Sequence, residues 1–338
     1  MLGSIWRRVL QRSSVGVDDN FFDVGGDAAL ARSLFEEIAG ACGRELPAVM
    51  ICQSPTIAKL AALLEQPTTP SVPALLPLKP GSERPPVFMA HGLGGSVIDL
   101  LPIVKHIPTA HAMHGVQAKG IEGVEKPFDR VEDMARYSLD AVKQLQPRGP
   151  YFFVGYSLGG LVMLEMARQL IADGEKVGLL AMMDSYPEIR YLSLGQRVRL
   201  VTRLATRRVA TATKLSPASA LSLMVRPSWR RALLSGTPYL PPPIGPLSPT
   251  MQRVRESAYL ALTHYHPRFY PGKIKFVRAA IVTDFPADAA AVWDPLANEV
   301  EVETVSGDHL GMITTHSENL AAVLSRYLEE VFIGSAVS

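Results

Sequence analysis

The stretch Tyr151-Phe152-Phe153-Val154-Gly155-Tyr156-Ser157-Leu158-Gly159-Gly160 decides how this chain is read. Its four leading apolar residues follow the breaker Gly149-Pro150 and predict a buried strand. From Leu158 to Asp173 the period changes, with Leu161, Leu164, Ala167 and Leu170 three residues apart, and Gly174 closes a predicted helix. A Gly-x-Ser-x-Gly between a strand and a helix is the setting of a nucleophile elbow. The serine sits on a sharp turn that exposes its hydroxyl, and the neighbours need to lack a side chain that would clash.

Working outward, strands and helices alternate on both sides of this turn, which predicts an α/β architecture with a mainly parallel sheet. Val87-Phe88-Met89-Ala90 reads as a buried strand, followed by the glycine-rich loop His91-Gly92-Leu93-Gly94-Gly95. Residues 112–117 predict the next strand. A helix follows, with Asp129 and Glu132 as its cap and Val131, Met134, Ala135, Val142 and Leu145 facing inward. Beyond the elbow, the apolar run from Val177 to Met183 ends at Asp184. A carboxylate at the carboxyl end of a parallel strand lies on the rim where ligands bind. Near the far end, Val300 to Val305 alternates like a final strand and delivers Ser306-Gly307-Asp308-His309, with a closing helix from about Ser317. Of the eight histidines, His309 sits in a short glycine-containing loop directly after a strand. Among its rivals, His91 belongs to the loop after the first buried strand, and His264 and His316 are expected on helices. The chain order Ser157, Asp184, His309 is one of the known orders of a serine triad.

The 338 residues and the 47% hydrophobic content allow a large core with an appendage, and a formal net charge of +2 signals neither a nucleic-acid nor a membrane partner. Cys42 and Cys52 are too few for a disulfide framework, so a reducing cytoplasm is expected. The charge is unevenly placed. Between Ile189 and Arg255 there are twelve basic residues and no Asp or Glu. Solvated faces of helices are the plainer account of such a pattern; the alternative is that arginines among Arg197, Arg199, Arg203, Arg207, Arg208, Arg230 and Arg231 attract a phosphate or an acidic partner.

The first 66 residues predict a small helical bundle. Leu2, Ile5, Trp6, Val9 and Leu10 share one helical face, as do Leu30, Leu34, Ile38 and Ala41, and a third helix opens at Ser54-Pro55. Residues 67–75 are a proline-rich connector, and Ala74-Leu75-Leu76 predict an edge strand.

Between the first two helices, Asp19-Asn20-Phe21-Phe22-Asp23-Val24-Gly25-Gly26-Asp27-Ala28-Ala29-Leu30 resembles the signature of peptidyl carrier domains of nonribosomal peptide synthetases. In that family a serine carries 4′-phosphopantetheine. The matching position here is Ala28, which has no hydroxyl, so the resemblance implies that no arm is attached to the present chain and that Ala28→Ser would make it a substrate for a phosphopantetheinyl transferase. Both an introduced change and a retired carrier are compatible with that alanine.

Residues 76–335 resemble the type I thioesterase domains that terminate such synthetases. The matching pieces are His91 to Gly95, Gly155 to Gly160, Met183-Asp184, Tyr270-Pro271-Gly272 and Gly307-Asp308-His309. The resemblance implies an α/β-hydrolase domain with a lid over about 186–265, a catalytic triad of Ser157, Asp184 and His309, and an oxyanion hole from the amides of Leu93, or its neighbour Gly94, and Leu158. It also implies release of a carrier-bound acyl or peptidyl chain by hydrolysis or macrocyclisation, upstream synthetase domains as partners, and a chain excised from a longer synthetase. A general esterase or lipase and a non-catalytic docking didomain are the competing readings.

Overall fold

Val87, Phe152, Phe153 and Leu180 are almost wholly buried, as their apolar runs require, and the strands that carry them lie at the centre of one sheet. The computed structural model describes residues 1–67, 71–188, 191–200, 202, 206, 247–281 and 285–336. Its strands are β1 (Leu75–Lys79), β2 (Glu83–Ala90), β3 (His111–Val116), β4 (Tyr151–Tyr156), β5 (Val177–Met183), β6 (Tyr270–Ala279) and β7 (Ala297–Val305). They pair in the order β1-β3-β2-β4-β5-β6-β7. The edge strand β1 runs antiparallel to β3, and the other neighbouring pairs are parallel.

A mainly parallel sheet is covered on both faces, so its strands are apolar throughout. In β4, Tyr151 and Phe153 point into one core while Phe152, Val154 and Tyr156 point into the other, as a two-residue period demands. The first core is closed by α5 (Val131–Leu145), α6 (Leu158–Ala172), α7 (Pro249–His264) and α8 (Ala289–Trp293). The second is closed by α4 (Leu101–Val104) and α9 (Ser317–Ala336). Each fully buried aromatic contributes about 1.5–3 kcal/mol over its exposed state.

Strand β2 lies between β3 and β4, so the chain leaves β2 toward one side of the sheet and β4 toward the other. Diverging connections of this kind open a crevice at the carboxyl ends of the strands. Both the glycine-rich loop after β2 and the elbow after β4 border it.

The N-terminal bundle consists of α1 (Leu2–Val9), α2 (Ala28–Cys42) and α3 (Ile57–Glu65), with a 3-10 turn at Ala48–Cys52. Its signature residues have structural duties. Asn20 Oδ1 accepts from the Phe22 amide, Phe21 packs edge-on to Trp6, and a side chain on Gly26 would strike the Phe21 ring at 2.3 Å. Asp27 caps α2 by accepting from Leu30 N at 2.8 Å.

The bundle packs onto the larger domain. Val72, Leu76, Val97, Ile98 and Ile121 share one apolar cluster with Trp6, Leu34 and Met50. The turn at Ala48–Cys52 lies against a second 3-10 turn at Val97–Leu100, and Arg32 of α2 forms an ion pair with Asp99.

Several local expectations are corrected. Helix α3 starts at Ile57 with Thr56 as its cap, because Ser54 closes the preceding turn and the Pro55 carbonyl is taken by the Phe21 amide. Helix α2 buries Ala31 and Phe35, whereas Ala41 is exposed. Helix α5 has Arg130 at its cap position without a side-chain bond, and Glu132 and Asp133 act in the first turn through the helix dipole. His316 precedes α9 rather than lying on a helix. Of the basic cluster, Arg203, Arg207, Arg208, Arg230 and Arg231 lie outside the described residues, and Arg197 donates to the Leu192 carbonyl at 2.8 Å. Among the described residues, no helix is long and apolar enough to cross a membrane.

Candidate active site

The elbow after β4 is as tight as its glycines imply. Ser157 has φ 55°, in the left-handed region that a residue with a side chain rarely adopts. A Cβ at position 155 would lie 2.4 Å from the Gly159 carbonyl oxygen, and one at position 159 would lie 2.4 Å from the His91 carbonyl oxygen. The Ser157 amide donates to Met183 O at 2.9 Å and ties the turn to β5. The result is a hydroxyl held at the rim of the sheet. Backbone strain of this sort clusters at functional sites.

Asp184 follows β5 directly, again with positive φ, 45°, and is 4% exposed. Its amide donates to Val277 O, and its Oδ1 accepts from the Ala279 amide at 3.2 Å. The remaining oxygen, Oδ2, lies 2.8 Å from His309 Nδ1, and His309 Nε2 lies 3.1 Å from Ser157 Oγ. Side chains separated by 125 and 152 residues thus meet in one hydrogen-bonded line.

Two aromatic rings pack against the imidazole. The Tyr156 ring stacks against it with centroids 4.8 Å apart, and the Phe285 ring is tilted against it with centroids 4.7 Å apart. Tyr156 also donates its hydroxyl to the His309 carbonyl at 2.7 Å. The loop that carries His309 turns at Gly307, φ 92°, and is closed by Gly311 N donating to Asp308 Oδ1 at 2.8 Å.

The glycine-rich loop lies beside the serine, since a Cβ on Gly92 would sit 3.2 Å from that of Ser157. As the first residue of α6, Leu158 has an amide without an intrahelical acceptor, in a region of positive helix-end potential. Leu93 is the central residue of the loop. Buried Gln117 braces the loop's far end, accepting from Val97 N at 3.1 Å and donating to the Gly95 carbonyl. Burial lowers the His91 pKa to about 4, so its ring is neutral near pH 7 and Nδ1–H donates to Gly92 O at 2.6 Å. Beside Leu158 and Gly159 lies a small cavity of about 40 Å³, walled by Met134, Tyr137, Val162 and Val254 together with Lys119 and Ser138.

Tyr156, Phe285 and Gln117 were not predicted as site residues. Tyr156 was visible as the variable residue of the Gly-x-Ser-x-Gly motif; Gln117 ends a predicted strand, which says nothing of its side chain, and Phe285 lies in a stretch with no pattern of its own.

Comparison with known proteins bears on both domains. The thioesterase domain family matches residues 85–203, and the phosphopantetheine attachment site family matches residues 2–64. The chain is 39% identical over 188 residues to the dimodular nonribosomal peptide synthase of Bacillus subtilis (strain 168), covering 55% of this chain and 8% of that one. It is 34% identical over 203 residues to indigoidine synthase of Dickeya dadantii (strain 3937), covering 60% of this chain and 13% of that one. The chain therefore spans only a small part of these relatives. The crystal structure of holo-AB3403, a four-domain nonribosomal peptide synthetase bound to AMP and glycine, matches 98% of this chain and 26% of that one with a TM-score of 0.59 at 22% identity. The type II thioesterase BorB from the borrelidin biosynthetic cluster matches 75% of this chain and 96% of that one with a TM-score of 0.52 at 16% identity. Both likenesses show the fold.

The attachment family implies a 4′-phosphopantetheine group joined to a serine at the start of α2. Ala28 opens that helix with a methyl group, and Ser33 is exposed more than a turn away. The residues present do not fit covalent attachment of the group.

Proposed function

We propose that this chain cleaves an acyl or peptidyl thioester through an acyl-enzyme on Ser157, because residues 2–64 match the phosphopantetheine attachment site family and residues 85–203 match the thioesterase domain family. The observation that carries the mechanism is the line Ser157 Oγ, His309 Nε2, His309 Nδ1, Asp184 Oδ2, with contacts of 3.1 and 2.8 Å. His309 takes the hydroxyl proton as Oγ attacks the thioester carbonyl, and Asp184 holds the imidazole in the tautomer that makes this possible. The amides of Leu93 and Leu158 stabilise the tetrahedral oxyanion. The carbon–sulfur bond then breaks, and the leaving thiolate takes the proton from His309. Water, or a nucleophile within the acyl chain, attacks the ester and frees the hydrolysed or macrocyclic product.

On this reading residues 1–66 form the carrier-like domain, 67–75 the connector and 76–335 the catalytic domain; most of the expected lid over about 186–265 lies outside the described residues. The expected partners are a carrier-bound substrate and the upstream domains of a synthetase. The free thiols of Cys42 and Cys52 are in keeping with a cytoplasmic setting.

The test is labelling with a fluorophosphonate followed by peptide mass analysis. Modification at Ser157, lost in His309→Ala, is the expected result; an unlabelled chain that also fails to turn over acyl-pantetheine would return the molecule to a docking role. Comparing an acyl-pantetheine with its oxygen ester separates a thioesterase from a general esterase.

A further inference from the structure

Helix α2 of the carrier-like domain is tied to the segment that follows the glycine-rich loop. Arg32 lies one turn after Ala28 on the same helical face, and its guanidinium pairs with Asp99. The Asp99 carboxylate in turn borders the glycine-rich loop, with Oδ2 at 3.3 Å from the place a Cβ on Gly94 would occupy. The start of α2, where the attachment family carries its prosthetic arm, is thereby held beside the loop that supplies the Leu93 amide. Ala28 itself is 8% exposed. An ion pair with side chains 44% and 34% exposed is weak by itself. It acts together with a dry cluster, in which Val49, Met50 and Ile51 of one domain and Val97 and Ile98 of the other are each 1% exposed or less, and a carboxylate in place of Arg32 would repel Asp99 at the edge of that contact.

Two facts then meet at one place. The helix that should present an acyl group has nothing to attach it to, and that helix is seated beside the oxyanion loop. We infer that this chain takes its acyl-pantetheine thioester in trans, and that its own carrier-like domain is a fixed occupant of the face on which a delivering carrier would dock. This rests on the reading of Ser157 as the nucleophile. A thioester on a separate carrier has to displace the seated domain before its acyl group reaches Ser157. The same acyl group on coenzyme A reaches Ser157 without that displacement.

The experiment uses the full chain as wild type, Arg32→Glu and Arg32→Lys, with one short acyl group supplied either on coenzyme A or on a separate, phosphopantetheinylated carrier domain. Arg32→Glu sets a carboxylate against Asp99 and loosens the seat; Arg32→Lys keeps the pair. Arg32 is exposed, so neither change threatens folding, and circular dichroism verifies this. The expected result is that Arg32→Glu raises kcat/KM on the separate carrier by about fivefold, the factor that loss of a surface pair can supply. Arg32→Lys should stay near wild type, and turnover of the acyl-coenzyme A should be the same in all three. Acyl-coenzyme A cleavage combined with a carrier rate that ignores Arg32→Glu overturns the seating. So does a phosphopantetheinyl arm found by mass on the wild-type chain after treatment with transferase and coenzyme A. Failure to cleave either thioester would instead overturn the thioesterase reading, and this inference with it.

Discussion

Tyr156, the residue immediately before the elbow serine, donates a 2.7 Å hydrogen bond to the backbone carbonyl of His309. Its ring centroid lies 4.8 Å from that of the imidazole. One side chain therefore links the nucleophile's turn to the loop that carries the base. Removing the hydroxyl in Tyr156→Phe keeps the stacking and forfeits one hydrogen bond, worth about 1 kcal/mol. We expect kcat to fall by roughly three- to tenfold with KM nearly unchanged, because the bond positions His309 and touches no substrate. Tyr156→Leu, which loses the ring as well, should fall further. Steady-state kinetics on an acyl-pantetheine substrate checks both, and an unaltered kcat in Tyr156→Leu would refute the positioning role.

Ser157→Ala should lower turnover by on the order of 10⁴ or more. Weakening one oxyanion donor is a smaller loss, about 10² to 10³. The backbone amide of Leu93 is removed by Leu93→Pro, which also strains the loop, so the comparison is made on variants whose thermal unfolding matches wild type. Near-normal turnover in Ser157→Ala would exclude the serine as nucleophile.

Gly159→Ala should destabilise the catalytic domain by about 1–3 kcal/mol, the usual cost of overpacking. The added methyl meets the His91 carbonyl oxygen at 2.4 Å and the Ala90 carbonyl oxygen at 2.6 Å, and backbone atoms of a central strand cannot easily move aside. Urea unfolding measures the loss. Gly174→Ala provides a contrast, since its φ of 81° strains an alanine but no atom lies within 4 Å of the new methyl.

His91 should give stability a pH dependence. Burial depresses its folded pKa to about 4, against about 6.5 when unfolded. Between these values the unfolded chain binds the extra proton, so this contribution is fully present above pH 6.5 and is lost as pH falls toward 4. Replacing His91 by Asn should flatten the stability profile in that window. An unchanged slope between wild type and His91→Asn would show that the ring titrates normally.

Ala28→Ser should accept a phosphopantetheinyl group from a transferase and coenzyme A, seen as a mass increase absent from wild type. Because position 28 is only 8% exposed, loading should be slow, and adding Arg32→Glu should accelerate it. Fast loading that is indifferent to Arg32 would mean that the transferase reaches α2 without unseating it.

The seven strands were within reach of the sequence wherever they were apolar or alternated, because burial on both faces of a parallel sheet leaves its mark in composition alone. Ser157, Asp184 and His309 could be picked out because each follows a strand at its carboxyl end. The finer features were less legible. Thr56, not Ser54, caps α3, since the choice depends on the Phe21 amide claiming the Pro55 carbonyl. The 3-10 turn at Ala48–Cys52 and helix α8 are too short for a periodic signal. Tyr156, Gln117 and Phe285 act through contacts with loops distant in the chain, and no spacing rule encodes those.

The amino-acid sequence by itself determined the alternation of elements, the sharp glycine-flanked turn at Ser157 and the missing hydroxyl at position 28, since these follow from local sterics, periodicity and side-chain chemistry. Tertiary structure alone decided that three side chains meet in hydrogen-bonding range, that Tyr156 clasps the His309 loop, and that Arg32 binds Asp99 to seat one domain on the other. Such contacts join residues 67 to 153 positions apart. Their partners are chosen by how the sheet and its helices close in space, which no local stretch of chain records.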